Sequence, residues 1–405
     1  MTKSSLGPLE GVRVLELGHF IAAPCCTRLL GDLGAEIIKI EPPGGDPVRT
    51  WGAQIDGNSV WWSVHGRNKK SVVVDLKQDG SRDIILKLVS KCDAVVENFR
   101  PGYLKRIGLT DEALHAARPG LVVAHVSGFG QTGPDRDRAA FGVIGEAIGG
   151  LRYLANHPDH ASDLPPVRAG ISIGDTVAGI YAALGVVSEL LRGHRQGTAG
   201  TGRTVDVALT DSVLSLMEGL LPEYGSLGIV RQPTGSRIPT AAPTNSYPCK
   251  DGKWVLIAAN SEPLFAQLMD LIGRPELVHD PRFVSNGERV ANVERLDAEI
   301  AAWTRRLGAA EADRLCREAG IPSTLVFTAK ECAESAQFRA RGMVREVDDP
   351  IIGRTLHPGV VPHSPGGDAQ MRWPGPAVGA HTEEVLRDLL GIRADTREPH
   401  HIKVK

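Results

Sequence analysis

Over its first 130 residues the chain alternates between two rhythms of apolar and polar positions. Short runs rich in β-branched residues, VRVLEL (12–17), EIIKIE (36–41), SVVVDL (71–76), DAVVENF (93–99) and LVVAHVS (121–127), predict strands. Between them, AAPCCTRLLGDLG and RDIILKLVSKC carry apolar residues at helical spacing, the first predicted to end at Gly34. Parallel neighbours need a long crossover, and helices alternating with strands supply one. The pattern therefore predicts an α/β fold with a parallel sheet and helices on both faces. A further helix opens at Asp175 and runs through GIYAALGVVSELLRGHR, apolar enough to predict a buried helix rather than a surface one.

The rhythm changes after about residue 222. PEYGSLGIVRQPTGSRIPTAAPTNSYP is rich in Pro, Gly, Ser and Thr and reads as an irregular linker. KWVLIAA (253–259) predicts a strand, and PLFAQLMDLIG, VERLDAEIAAWTRRL and EADRLCREAG predict helices of a small second domain. From about residue 340 the chain is strand- and turn-like, with HPGVVPHSPGG as punctuation, before a last helix at TEEVLRDLLG. A chain of 405 residues exceeds one compact core, so two lobes are expected.

Composition narrows the function classes. Hydrophobic residues make up 42% and charged residues 23%, ordinary for a globular protein, and the net charge of −2 offers no broad basic field for nucleic acid or anionic lipid. The start, MTKSSLGPLEGVRVLELG, lacks the apolar core of a signal peptide, and no run approaches the roughly 20 apolar residues of a membrane span. A soluble, cytoplasmic protein is expected. The six cysteines, Cys25, Cys26, Cys92, Cys249, Cys316 and Cys332, form no CxxC pair and no metal-like spacing with histidine. They read as buried thiols of a reducing compartment, with no metal site. His400 and His401, in the polar tail TREPHHIKVK, read as solvated.

One residue in AGISIGDTVAGIYAALG (169–185) is out of keeping: Asp175 is the single charge among small and apolar neighbours. An ionised carboxylate there needs hydrogen bonds or charges to support it. Two compatible readings stand, an N-cap for the helix that follows and a catalytic carboxylate held ionised by the helix amides. GFGQTG (128–133) fits a dinucleotide-binding pattern after a strand, but PDRDRAA follows instead of an apolar helix, so it reads as a glycine loop beside a site. Arg67, Lys69, Lys70, Lys77 and Arg106 lie at strand ends and loops, where an open α/β sheet binds phosphates, although singly each reads as surface charge.

Taken in order, GPLEGVRVLEL, AAPCCTRLLGDLGAEIIKIEPPGGD, NKKSVVVDLK, DAVVENFRPGYLKRIGL, SGFGQTGP, GDTVAG and GAHTEEVLRDLLGI make the chain resemble the class III CoA-transferases, the formyl-CoA and carnitine CoA-transferase group. The resemblance spans nearly the whole chain. It implies a Rossmann-like large domain from residues 1–222 and 326–405, a smaller α+β domain with its linkers inserted at 223–325, and a homodimer of interlocked rings. It implies transfer of CoA from an acyl-CoA donor, succinyl-CoA by family analogy, to a small carboxylic or dicarboxylic acid, with no permanently bound cofactor and no metal. Asp175 matches the family's nucleophile, which carries an aspartyl-CoA thioester. Phe20 and Ala22 match positions near the thioester, while Val74, Lys77, Asn98, Phe99 and Arg106 match positions along the CoA.

The chain also departs from the family pattern. Ile21 replaces the substrate-facing glutamine of the formyl enzyme, Gly142 follows Phe141 where an acidic residue is frequent, and SRIPTAAPTNSYP replaces a tetraglycine loop. A formyl-CoA:oxalate activity is therefore not expected, and Ile21 and Phe141 become candidates for shaping the acid site. A sister branch, the α-methylacyl-CoA racemases, carries a histidine where Phe141 stands, and a phenyl ring cannot shuttle a proton. The racemase alternative would need His125 or His19 as its second base. A non-catalytic acyl-CoA-binding protein is the remaining alternative, and retention of Asp175 argues against it.

Overall fold

A computed structural model describes residues 7–158, 164–196, 202–363 and 369–392; His400 and His401 lie outside them. Six parallel strands form the central sheet: Arg13–Glu16, Glu36–Glu41, Lys69–Val73, Ala94–Glu97, Val122–Ser127 and Arg203–Ala208. Numbered along the chain, they lie in the order 3-2-1-4-5-6. The order reverses between Arg13–Glu16 and Ala94–Glu97, which leaves a crevice at the carboxyl ends of those two strands.

Alternation along each strand builds a core on both faces. Leu15, Ile38, Val95 and Val123 pack with Ile84, Ile85 and Leu88 of the helix Ser81–Val89 and with Leu386 of the helix Thr382–Leu390. Their neighbours Val14, Ile37, Val96 and Ala124 face the other way, onto Ala23, Cys26 and Leu30 of the helix Ala22–Asp32 and Ala178, Ala182 and Val186 of the helix Ile173–Gln196. The edge strand Lys69–Val73 does not stay open: Ser71 N donates to His381 Nδ1 (3.2 Å) and Val73 N to Thr382 Oγ1 (3.0 Å).

Most strands stand where the pattern puts them, with instructive differences. SVVVDL pairs two residues earlier, as Lys69–Val73, because the ladder to Ile37–Glu41 decides register. RTVDVA, too polar to single out, is the outer strand Arg203–Ala208. The segment read as irregular linker contains a helix, Leu220–Leu227, and a strand, Thr244–Pro248.

The helix expected to start at Asp175 and to be buried does neither. It runs Ile173–Gln196, and its inward stripe is Gly174, Ala178, Gly179, Ala182, Ala183 and Val186. A Cβ on Gly179 would lie 2.8 Å from Ala22 O, so this stripe exists to let two helices touch. Its large residues face outward, Leu184 being 60% and Leu191 54% exposed. At 24 residues it also has the length and composition of a membrane span, contrary to expectation, while its small-residue stripe packs onto the sheet and the helix Ala22–Asp32.

Three of the cations read as surface charges or phosphate ligands are internal partners. Arg67 Nη2 sits 2.5 Å from Asp32, Lys69 Nζ 2.8 Å from Glu16, and Lys70 Nζ 2.9 Å from Glu36 and 2.7 Å from Glu384. Arg67 and Lys69 have no exposure. Buried charges survive only in such pairs, so Arg67 and Lys69 are unavailable to phosphate, while Lys70 forms a partly exposed surface pair.

By contact the chain forms two compact units: 1–152, 169–222 and 336–405 make the first, and 153–168 with 223–335 the second. The second unit is an α+β body around an antiparallel sheet ordered Ser323–Leu325, Trp254–Ala258, Thr244–Pro248. Tyr247, Val255, Ile257, Phe265, Leu268, Leu296 and Ile300 fill its core. Asp297 accepts from Arg237 Nε (2.8 Å), Asn245 Nδ2 (2.9 Å) and Tyr247 OH (2.7 Å), which ties the SRIPTAAPTNSYP segment to the helix Val293–Thr304.

Two histidines give stability a defined pH dependence. Burial, aided by Lys69 and Arg28, holds His65 down to about 4; burial and Arg67 hold His357 down to about 4. Between 6.5 and about 4 the unfolded chain binds protons that the folded chain refuses. Unfolding free energy is therefore expected to fall as pH drops through that window. Urea midpoints in a buffer series should show the decline, His357→Asn should make it shallower, and a level profile in the native protein contradicts the assignment.

Candidate functional site

The crevice at the strand ends holds a cavity of about 360 Å³. Three of the strands lead into it: His19, Phe20 and Ala22 follow the first, Asn98, Phe99 and Arg106 follow the fourth, and Ser127 ends the fifth with Gly128 just beyond. Phe141 and Asp175 complete the wall. Seven of the residues expected from the sequence thus meet in one place: Phe20, Ala22, Asn98, Phe99, Arg106, Phe141 and Asp175. Val74 and Lys77 line a neighbouring cavity of about 260 Å³ that shares His19, Phe99 and Tyr103 with the first. Ile21 is placed elsewhere, buried with Val48 and Trp62 behind Phe20, and reaches neither cavity.

Asp175 is the third residue of its helix, inside the first turn rather than at the cap. There the unsatisfied amides and the helix dipole favour a negative charge. The approach of a second helix, Gly142–Ile148, is unusually close. A Cβ on Gly174 would lie 2.7 Å from Gly142 O, and a Cβ on Gly142 would lie 2.1 Å from Asp175 Oδ2. Gly174 therefore meets backbone and has no room for a side chain, whereas a side chain at position 142 would require the Asp175 carboxylate to shift.

The walls are held from behind. Asn98 Oδ1 accepts from His19 N and Asn98 Nδ2 donates to His19 O, both at 2.9 Å, so its amide clamps the loop rather than waiting for a ligand. Lys39 Nζ donates to Gly18 O (2.9 Å), and Phe20 N donates to Asp46 Oδ1 (3.1 Å). Phe20 has φ of 63°, a left-handed conformation that costs a bulky residue roughly 1–2 kcal/mol. Its ring lies 4.8 Å from Trp51, 4.9 Å from His19 and edge-on to Phe141 at 6.2 Å.

Phe99 N donates to Glu97 Oε2 (2.7 Å), whose other oxygen is 2.6 Å from His125 Nδ1; His125 Nε2 is 3.1 Å from Asp111 Oδ1. Burial pulls the His125 pKa down, but the bonds to Asp111 and Glu97 outweigh it and raise it to about 10. A histidine so protonated and so enclosed is a brace, not a base. His19 faces the cavity, and burial lowers its pKa, keeping the ring neutral.

Sequence reasoning passed over several lining residues. Arg100, Tyr103 and Arg138 share the wall, with Arg106 over the Tyr103 ring at 5.5 Å and Arg138 over the Phe129 ring at 5.2 Å. The run NFRPGYLKR carried the signal for the first two, since it follows a strand at the switch point. Of the GFGQTG loop, Gly128 lines the cavity, and Gln131 N donates to Asp206 Oδ2 (2.9 Å). No helix starts at Gly133, so the loop lacks the geometry of a pyrophosphate cradle. Among the described residues no group of three His, Cys, Asp or Glu side chains could hold a metal ion.

The family described as CoA-transferase family III matches residues 9–382. The chain is 46% identical to succinyl-CoA–D-citramalate CoA-transferase of Chloroflexus aurantiacus, over 96% of this chain and 95% of that protein. It is 36% identical to the alpha subunit of succinyl-CoA–L-malate CoA-transferase of Chloroflexus aurantiacus, over 96% and 90%. Its structure is similar to that of a CAIB/BAIF family protein from Brucella suis, with a TM-score of 0.82, 30% identity, and coverage of 95% of this chain and 99% of that one.

The glycine crossing beneath Asp175 makes a direct test. Gly174→Ala should lower the unfolding free energy by about 1–3 kcal/mol, because its Cβ meets backbone rather than a movable side chain. Gly170→Ala, where nothing lies within 4 Å, should be close to neutral. Equal effects in denaturant titrations of the two variants would show that the crossing is not tight.

Proposed function

This chain belongs to CoA-transferase family III, and on that premise we propose that it moves CoA from succinyl-CoA to a small dicarboxylic acid, with Asp175 as covalent relay. It is an enzyme, an acyl-CoA:carboxylate CoA-transferase. The observation that carries the mechanism is the Asp175 carboxylate set at a helix start in the cavity at the sheet's switch point.

An Asp175 oxygen adds to the acyl carbon of the donor thioester; the C–S bond breaks, leaving a mixed anhydride and CoA thiolate. The thiolate then attacks the Asp175 carbonyl carbon, the donor acid departs as its carboxylate, and an aspartyl-CoA thioester remains. The acceptor carboxylate adds to that same carbon and expels the thiolate, giving a second anhydride. Finally the thiolate takes the acceptor's acyl carbon, and Asp175 returns as a carboxylate. No proton or water enters the balance, and each step exchanges one good leaving group for another. Helix-start amides oppose the charge on the tetrahedral oxygens.

CoA as a substrate, not a resident cofactor, fits the two cavities. Lys77 and Arg106 suit its phosphates, Phe99 and Val74 its apolar arm, and Phe20 and Ala22 the thioester end. The relatives named above use succinyl-CoA with citramalate and with malate, both dicarboxylic acids, which supports the donor and the acid class. Arg100 and Arg138 on the wall offer cations for the carboxylate that does not react. Phe141 stands beside Asp175 and His125 is engaged by two carboxylates, so neither offers the second base a racemase needs. Asp175→Ala and Asp175→Asn should abolish transfer while acyl-CoA still binds, and hydroxylamine added with succinyl-CoA should convert Asp175 to a hydroxamate detectable by mass. Substantial residual transfer in the Ala variant would remove Asp175 from this role.

We further propose a homodimer of interlocked rings. The outward apolar face of the helix Ile173–Gln196, with Ile180, Leu184 and Leu191 exposed, supports a covered surface in solution. Analytical ultracentrifugation at nanomolar concentration should find a dimer that dilution does not separate; a monomer there refutes the interlocked arrangement.

A further inference from the structure

We propose that Asp46 is a positioning residue that decides whether the acyl groups held at Asp175 pass to a carboxylate or are lost to water. The inference rests on the reading of Asp175 as the covalent relay. It starts from an outlier: of the four described non-glycine residues at positive φ, Phe20, Asp56, Asn68 and Glu218, Phe20 alone is aromatic. A ring-bearing residue stays in that region only where its surroundings over-determine it, and such positions cluster at functional sites.

Asp46 is what over-determines it. Its Oδ1 accepts from Phe20 N (3.1 Å) and Val48 N (2.9 Å), its Oδ2 lies 2.7 Å from Lys39 Nζ, and its own N donates to Glu41 Oε2 (2.7 Å). It is 2% exposed, so the carboxylate is fixed in orientation from beneath and hands that orientation to Phe20. The consequence is a run of rings, Trp51 against Phe20 at 4.8 Å and Phe20 against Phe141 at 6.2 Å and 90°, in which Phe20 and Phe141 line the cavity that contains Asp175 and Trp51 backs Phe20. Phe141 is 64% exposed, so the apolar rim beside the reacting carboxylate faces solvent.

Anhydride and thioester intermediates are open to water. In the loss reaction a water oxygen adds to the acyl carbon, the bond to the Asp175 oxygen or to CoA sulfur breaks, and the water proton ends on the departing thiolate or in solvent. The products are a free acid, CoA thiol and regenerated Asp175. Rings held over the acyl group keep water from that approach, whereas an acceptor carboxylate enters by binding.

The test measures thiol release without acceptor against transfer with acceptor, for the same acyl-CoA. Asp46→Ala and Phe20→Ala should each raise the hydrolysis-to-transfer ratio roughly tenfold. The double variant should be no worse than the worse single one, because both act through the same ring. Should Asp46→Ala fail to fold, Lys39→Met with Asp46→Ala, which leaves no unmatched buried charge, takes its place. Phe20→Asn, whose backbone tolerates positive φ, tests the ring alone. An unchanged ratio in any of these folded variants overturns the proposal, as does a ratio that multiplies in the double variant. Retained transfer by Asp175→Ala would instead remove the underlying reading of the site, so the two failures are distinguishable.

Discussion

Four charges without meaningful exposure, Glu16, Lys39, Asp46 and Lys69, hold the frame on which the site depends. Lys39 meets Glu16 at 2.6 Å and Asp46 at 2.7 Å, and Lys69 meets Glu16 at 2.8 Å. Burial alone would drive each toward its neutral form. Mutual attraction overcomes it for three of them: Glu16 and Asp46 are held below ordinary carboxylate values and Lys39 above that of free lysine. Lys69, with one close carboxylate against two for Lys39, is held below its ordinary value by burial. Removing one member would leave an unmatched buried charge, which costs several kcal/mol, so the group acts as a unit. Its reach is wide, since it links the three strands Arg13–Glu16, Glu36–Glu41 and Lys69–Val73 and fixes the loop that passes Gly18, His19 and Phe20.

A second carboxylate set does the same on the other side of the switch point. Glu97 turns one oxygen to Phe99 N and the other to His125, and Asp111 closes the far side of the ring. The two sides meet where the His19 and Phe99 rings lie 5.5 Å apart, between the two cavities. Rigid elements thus carry the loops, and buried charge rather than loop packing sets where their tips stand. The covalent relay proposed for Asp175 would need such rigidity, because one carbon of its carboxylate would present itself in turn to an acid and to a thiolate.

Much was legible in the chain itself. Period-two runs separated by helical runs specify a parallel α/β layer, and Asp175 stands out as the one charge in GDTVAG, among small and apolar neighbours. The strand-end position of NFRPGYLKR and GHF likewise follows from where the apolar runs stop. These features depend on neighbours within a few residues, so local physics determines them. What covers a face does not. The helix Ile173–Gln196 is largely apolar in sequence, yet Gly174, Ala178, Gly179, Ala182 and Ala183 face inward while Ile180, Leu184 and Leu191 face out, because close helix approach selects for size and not for hydropathy. Lys69 and Arg67 read like surface cations until Glu16 and Asp32, distant in sequence, arrive against them. Gly174 gains its reason when the start of another helix brings the Gly142 carbonyl against it. The sequence by itself determined the elements, their order and the odd carboxylate. Only the tertiary structure decided which charges are buried, which glycines are obligatory and which rings share a cavity with Asp175, because each is a contact between segments that the local pattern cannot bring together.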